Sequence, residues 1–158
     1  MTHIAKTTRR AFLAGVAGTA LVSPLRAQDL PKVAVTKDPS CGCCSGWVEH
    51  LKGAGFPVEV TEATDVNRLK ARLGVPLGLA ACHTAEVDGY GVEGHVPASA
   101  IKRLLAERPE AMGLAVPGMP IGSPGMEVEG SEPEIYAVVL FGPFGQRTFA
   151  RYRGAQPV

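Results

Sequence analysis

Three cysteines fall within four positions in the stretch DPSCGCCSGW, at Cys41, Cys43 and Cys44. One disulfide uses only two sulfurs, and a bridge between the adjacent Cys43 and Cys44 would strain the peptide joining them. Cys41-x-x-Cys44 at a helix start is the arrangement of a thiol–disulfide centre, where helix amides favour thiolate over thiol. The third thiol, Cys43, would invite scrambling in such a centre. Three thiolates fanned from one helix start make a soft, anionic site suited to Cu(I), zinc or an iron–sulfur centre. A sulfur can bridge two metals, so a multinuclear site is open to this chain.

Other soft donors recur along the chain. Cys82 and His83 are adjacent in ACHTAEV, and His95 closes EGHVP. A continuous strand would send Cys82 and His83 to opposite faces, leaving only one to reach the cysteine loop. Met119 and Met126 are each presented by a Pro-Gly-Met unit, and thioether sulfur suits Cu(I) far better than zinc. His50, one and a half turns beyond Cys44, reads as a helix-face residue rather than a ligand. Trp47 and Met112 read as packing residues. The candidate metal ligands are therefore Cys41, Cys43, Cys44, Cys82, His83, His95, Met119 and Met126, with no catalytic group beyond them.

Regular elements must place these side chains. KVAVTK (32–37) alternates as a strand, and Asp38-Pro39-Ser40 breaks it. Residues 45–54 carry Trp47, Val48 and Leu51 at helical spacing, and glycines follow. PVEVTE (57–62) is a second strand. Asp65 can cap a helix over 66–73, ended by Gly74. Asp88-Gly89 predicts a hairpin pairing 79–87 with 90–96, and 97–107 is an amphipathic helix with proline at its start. The order β-α-β-α-β-β-α is a thioredoxin-like layout, with Gly74-Val75-Pro76 where that fold places a cis-proline loop facing the sulfurs. From about residue 109 the chain is a glycine-, proline- and methionine-rich extension, closing in a hairpin of 135–141 with 146–152.

The chain has 158 residues, 46% apolar and 20% charged, enough for one domain with a core. Four cysteines are too few for a disulfide scaffold. Residues 1–27 carry Arg9-Arg10, an apolar run from Ala11 to Leu25 and Ala27, which reads as a twin-arginine export signal. The run is shorter than the roughly 20 residues of a spanning helix. Removing its four basic residues (Lys6, Arg9, Arg10, Arg26) from 16 leaves 12 against 15 acidic ones, a net charge of −3 for residues 28–158. That mild, mixed balance excludes a nucleic-acid-binding stripe. The expectation is a single unit over 28–158, a periplasmic monomer with no stable membrane insertion once the signal is removed.

KDPSCGCCSGW, HLKGAGFPVEV, ACHTAEVDGYGVEGHVP and LAVPGMPIGSPGME together resemble the periplasmic CopG-type copper-resistance proteins, over about residues 32–152. One departure is Ala81, where serine is expected before the Cys-His pair. The resemblance implies a thioredoxin-like domain with a metal-binding C-terminal extension. It also implies copper on Cys41, Cys43 and Cys44, with Cys82-His83 and the methionine loop at the family's other motif positions. A copper oxidoreductase role, interconverting Cu(I) and Cu(II) during detoxification, comes with it. A copper efflux system or copper chaperone is the expected partner. Two alternatives remain from the residues themselves: a metal-free thiol–disulfide oxidoreductase using Cys41 and Cys44, and a structural zinc domain closed by three cysteines and a histidine.

Overall fold

The structure is a computed structural model and describes residues 29–158. The export signal expected over residues 1–27 lies outside the described residues. Eight strands form one mixed sheet in the order β2-β1-β3-β4-β5-β6-β7-β8. They are β1 (Val33–Lys37), β2 (Val58–Glu62), β3 (His83–Val87), β4 (Tyr90–Glu93), β5 (Gly113–Ala115), β6 (Ile135–Gly142), β7 (Gly145–Arg153) and β8 (Gln156–Pro157). Helix α1 (Gly42–Gly53) joins β1 to β2, α2 (Asn67–Arg72) leads to β3, and α3 (Ala98–Glu107) joins β4 to β5. β1 runs parallel to β2 and antiparallel to β3, and β4 runs parallel to β5.

Strand alternation decides which residues meet. Val33 and Val35 of β1, Ala85 and Val87 of β3, Val92 of β4 and Leu114 of β5 face one core. Trp47, Val48 and Leu51 of α1 and Ile101 and Leu104 of α3 enter the same core. Their immediate neighbours Ala115 and Phe141 turn the other way and pack with Leu79. On β3 the same alternation sends His83 towards Trp47 of α1, with ring centroids 4.4 Å apart. It sends Thr84 and Glu86 towards α2, where they meet Lys70 and Arg72.

The elements differ from expectation at informative places. Helix α1 starts three residues earlier than expected, at Gly42, so Cys43 and Cys44 lie in its first turn and Cys41 caps it. Strand β3 starts at His83, not at residue 79, because Pro76 opens a 3-10 turn over Leu77–Leu79. The Pro76 peptide bond is trans, as are all peptide bonds among the described residues, so the Gly74-Val75-Pro76 stretch does not form a cis-proline loop. Inside the glycine- and proline-rich extension the short strand β5 pairs with β4 and β6. It carries no periodicity of its own, since a three-residue strand covered on both faces leaves no alternation to read.

Candidate metal centre

Cys41, at the N-cap of α1, and Cys44, one turn on, are joined as a disulfide, leaving Cys43 and Cys82 as free thiols. Three free thiolates at the helix start are therefore not the state seen; two of the three sulfurs have bonded to each other. The remaining sulfurs stay close. Cys43 Sγ lies 3.5 Å from Cys41 Sγ, and Cys82 Sγ lies 3.5 Å from Cys44 Sγ. All four sulfurs fall within 4.8 Å of one another. Two ligands each about 2.3 Å from one ion are separated by no more than about 4.6 Å, and the two 3.5 Å contacts fall inside that limit.

A second group overlaps the first. Cys82 Sγ, a ring nitrogen of His83 and one of His95 also lie within 4.8 Å of one another. Cys82 sits ahead of β3, so strand alternation does not separate it from His83, and its Sγ is 3.3 Å from His83 Nδ1. Both histidines are fully buried. Cys82 is the one residue common to the two groups.

Backbone geometry aims His95. Gly94 holds a φ of +71°, and a Cβ there would stand 2.9 Å from the Ala81 side chain and 2.8 Å from the Val116 carbonyl. Only glycine makes this turn at so close an approach. His95 Nδ1 then donates to the Pro124 carbonyl at 2.8 Å, because a carbonyl can only accept. This fixes the proton on Nδ1 and leaves the Nε2 lone pair 3.6 Å from Cys82 Sγ. A histidine whose far nitrogen is tied to a carbonyl is the usual arrangement of a metal ligand.

The second Pro-Gly-Met unit supplies that carbonyl. Gly125, at φ +85°, lies on the first turns of α1; a Cβ on it would stand 2.5 Å from Trp47 N and 2.7 Å from Cys43 O. The tail thus reaches the cysteine helix through backbone contact, and Met126 follows at the edge of that contact, half-buried. Glu127 accepts from Gly125 N at 2.8 Å and holds the turn. Met119, on the first unit, is 55% exposed.

The electrostatics follow burial. Desolvation pushes the Cys82 thiol up to about 11, with Cys43 adding to it. Desolvation, followed by the His95 ring, brings His83 down to about 3, so its imidazole is neutral. Burial lowers His95 also, against the Pro124 carbonyl and Glu127. Among the described residues His83 Nε2 is buried with no hydrogen-bond partner. Such orphaned nitrogens are rare, and neutral imidazoles beside soft sulfur form a donor set that a thiophilic metal fits.

The other expected residues separate cleanly. His50 Nε2 accepts from the Ala98 amide at 3.0 Å, capping α3, so it serves as the helix-face residue expected. Trp47 is buried, donates to the Val96 carbonyl at 2.8 Å and forms the floor under His83. Met112 packs against Gly74. Three contributors were not anticipated from sequence: the Pro124 carbonyl, Lys70 and Glu93. The only hint of the last two was a lone acid in the apolar run GYGVEGHV and a lysine on the buried side of a short helix.

A family model described as "Protein of unknown function, DUF411" matches residues 79–126, a span holding Cys82, His83, His95 and both Pro-Gly-Met units but not the cysteine loop. No curated protein matches the chain. Two solved structures, of "Copper resistance protein copG" in Form 1 and Form 2, are similar over nearly their whole length. Form 1 is 44% identical with a TM-score of 0.73, covering 79% of this chain and 99% of that one. Form 2 is 44% identical with a TM-score of 0.73, covering 78% of this chain and 98% of that one. With a cysteine–histidine cluster and this degree of identity, the chain belongs to the CopG copper-resistance family.

Proposed function

We propose that this protein binds copper through the Cys41, Cys43, Cys44, Cys82, His83 and His95 cluster and acts in copper resistance. The observation that carries the reading is the overlap of two ligand groups at Cys82, one all sulfur and one of sulfur with two neutral imidazoles. Sulfur donors select Cu(I) over the harder divalent ions, and imidazole suits both oxidation states of copper. Copper held there supplies a one-electron Cu(I)/Cu(II) couple, and two groups sharing a sulfur have room for more than one ion. The chain's own contribution is to keep both rings neutral by burial and to fix the His95 tautomer through Pro124; Met126, next to the Gly125 that lies on α1, is proposed as a further soft donor.

The thioredoxin-like reading is part of this proposal. It is supported by the strand order β2-β1-β3-β4, by β1 parallel to β2 and antiparallel to β3, and by a helix led by a Cys41–Cys44 pair directly after β1. Residues 28–158 are proposed as one exported periplasmic unit, monomeric, receiving or passing copper to an efflux system or chaperone. Among the described residues no helix is long and apolar enough to cross a membrane.

The disulfide favours one second reading, a thiol–disulfide oxidoreductase using Cys41 and Cys44. One experiment separates the two. The protein is reduced, exposed to Cu(I) and zinc together, and its bound metal is measured after desalting. Copper retention that weakens in Cys43→Ser supports the copper site. Zinc uptake alone, or disulfide exchange activity with no copper and no effect of Cys43→Ser, rejects it.

A further inference from the structure

Behind the sheet from His83 lies a buried polar triangle with no part in the ligand set. Glu93, the last residue of β4, is fully buried, and Lys70 of α2 and Thr84 of β3 are nearly or wholly so. Lys70 Nζ donates to Glu93 Oε1 at 2.5 Å and to Thr84 Oγ1 at 2.7 Å. Thr84 Oγ1 in turn donates to Glu93 Oε2 at 2.7 Å. A buried ion pair is weak evidence for stability, because desolvation offsets the attraction. What distinguishes this one is a fourth partner: the Ala81 amide donates to Glu93 Oε1 at 2.5 Å. Ala81 immediately precedes Cys82 and His83, in a stretch that is neither helix nor strand. Glu93 also stands two residues before His95, with only the constrained Gly94 and its neighbour peptide between them. One carboxylate thus fixes the approach of the segment bearing Cys82 and His83 relative to the bend after β4 that bears His95.

We propose that Glu93 is a positioning residue for the Cys82–His83–His95 half of the site, acting as hydrogen-bond acceptor for the Ala81 amide, with Lys70 and Thr84 holding its carboxylate in place. The proposal rests on the reading of this cluster as a copper site. The required property is the acceptor, not the charge, which makes it separable from a merely structural role.

Two double variants of the full chain test it. Lys70→Met with Glu93→Gln removes both charges and keeps an acceptor for Ala81. Lys70→Met with Glu93→Met removes the acceptor too. In the reduced, metal-free protein, exchange of the Ala81 amide with deuterium should stay near wild type in the first variant. In the second it should quicken by about tenfold, the size of one lost hydrogen bond. Release of bound Cu(I) to a chelator should follow the same order, near wild type in the first and about ten- to hundredfold faster in the second. Equal copper release from both variants, or a protected Ala81 amide in the second, overturns the proposal. If the second variant does not fold, Glu93→Asp takes its place: the shorter side chain keeps the charge but withdraws the acceptor from the Ala81 amide, so faster amide exchange and copper release support the proposal and unchanged values overturn it. A wild-type protein that takes up no copper rejects the copper site itself, while the exchange measurement still decides the Glu93–Ala81 contact.

Discussion

Cys41, Cys43 and Cys44 ride on the start of α1, whereas Cys82 comes from a loop, His83 from the first position of β3 and His95 from the bend after β4. The two halves are held by different physics. Among the described residues the helix-borne sulfurs have no side-chain hydrogen bonds except to other sulfurs, and two of them are joined to each other. Their arrangement changes when a covalent bond forms or breaks. In the other half both histidines are buried, His83 against Trp47; His95 is tied to the Pro124 carbonyl, and the Cys82 segment is tied through Ala81 to Glu93. Its geometry is set before any ion arrives. On the proposed copper reading, one adjustable and one fixed half would leave room for a change in oxidation state, and Cys82 is where the halves meet.

The comparison can be broken most sharply at that shared sulfur. Cys82→Ser removes a donor from both groups and should weaken copper binding by more than about a hundredfold, beyond the range of a lost outer contact. Cys43→Ser touches one group and should weaken it less; equal losses on titration with a competing chelator would contradict the two-half description. Next in size is the tail contact. Gly125→Ala places a methyl against Trp47 N and Cys43 O at a positive φ, and should cost about 2–4 kcal/mol in urea unfolding. Gly118→Ala in the first Pro-Gly-Met unit has the same backbone requirement but open space around it, and should cost only about 1–2 kcal/mol. A matching pair of values would mean that the tail does not press on α1.

Acid should act on the fixed half through its histidines. An unfolded histidine takes up a proton near pH 6.5. His83, held down to about 3 by burial and then by His95, does not until far lower pH. Between those values the unfolded chain binds more protons, so the stability of the metal-free protein falls as pH drops below about 6.5 and is level above it. The slope per such histidine is at most about 1.4 kcal/mol per pH unit. A chemical-denaturation series from pH 8 to pH 5 that shows no decline would contradict the burial of these rings. The smallest effect is expected at His50. His50→Ala removes the acceptor of the Ala98 amide and should lower stability by about 1 kcal/mol while leaving copper retention unchanged.

Much of this site was legible before the fold was known because thiols and imidazoles at short spacing have few structural uses in common. The Cys41–Cys44 loop, the Cys82-His83 pair and the strand–helix–strand opening all announce themselves through local pattern. The start of β3 was harder. Cys82 and Thr84 both belong to one apolar-looking run, and only Pro76 and the 3-10 turn it starts show that the strand begins at His83. That single boundary decides whether Cys82 and His83 diverge or converge. The docking of Gly125 on α1 and the Glu93–Ala81 bond could not be read at all. Gly125 meets α1 through backbone atoms, and the Glu93 carboxylate meets a backbone amide, so the partner's side carries no residue-specific signal in either case. The disulfide is likewise a choice among several sulfur pairings that spacing leaves open.

X-ray absorption at the copper edge of the reduced, copper-loaded protein tests the central claim most directly. Sulfur backscatterers in the first coordination sphere, accompanied by imidazole nitrogen and diminished by Cys82→Ser, are the predicted result. A sphere of oxygen and nitrogen alone, indifferent to Cys82→Ser, would contradict it.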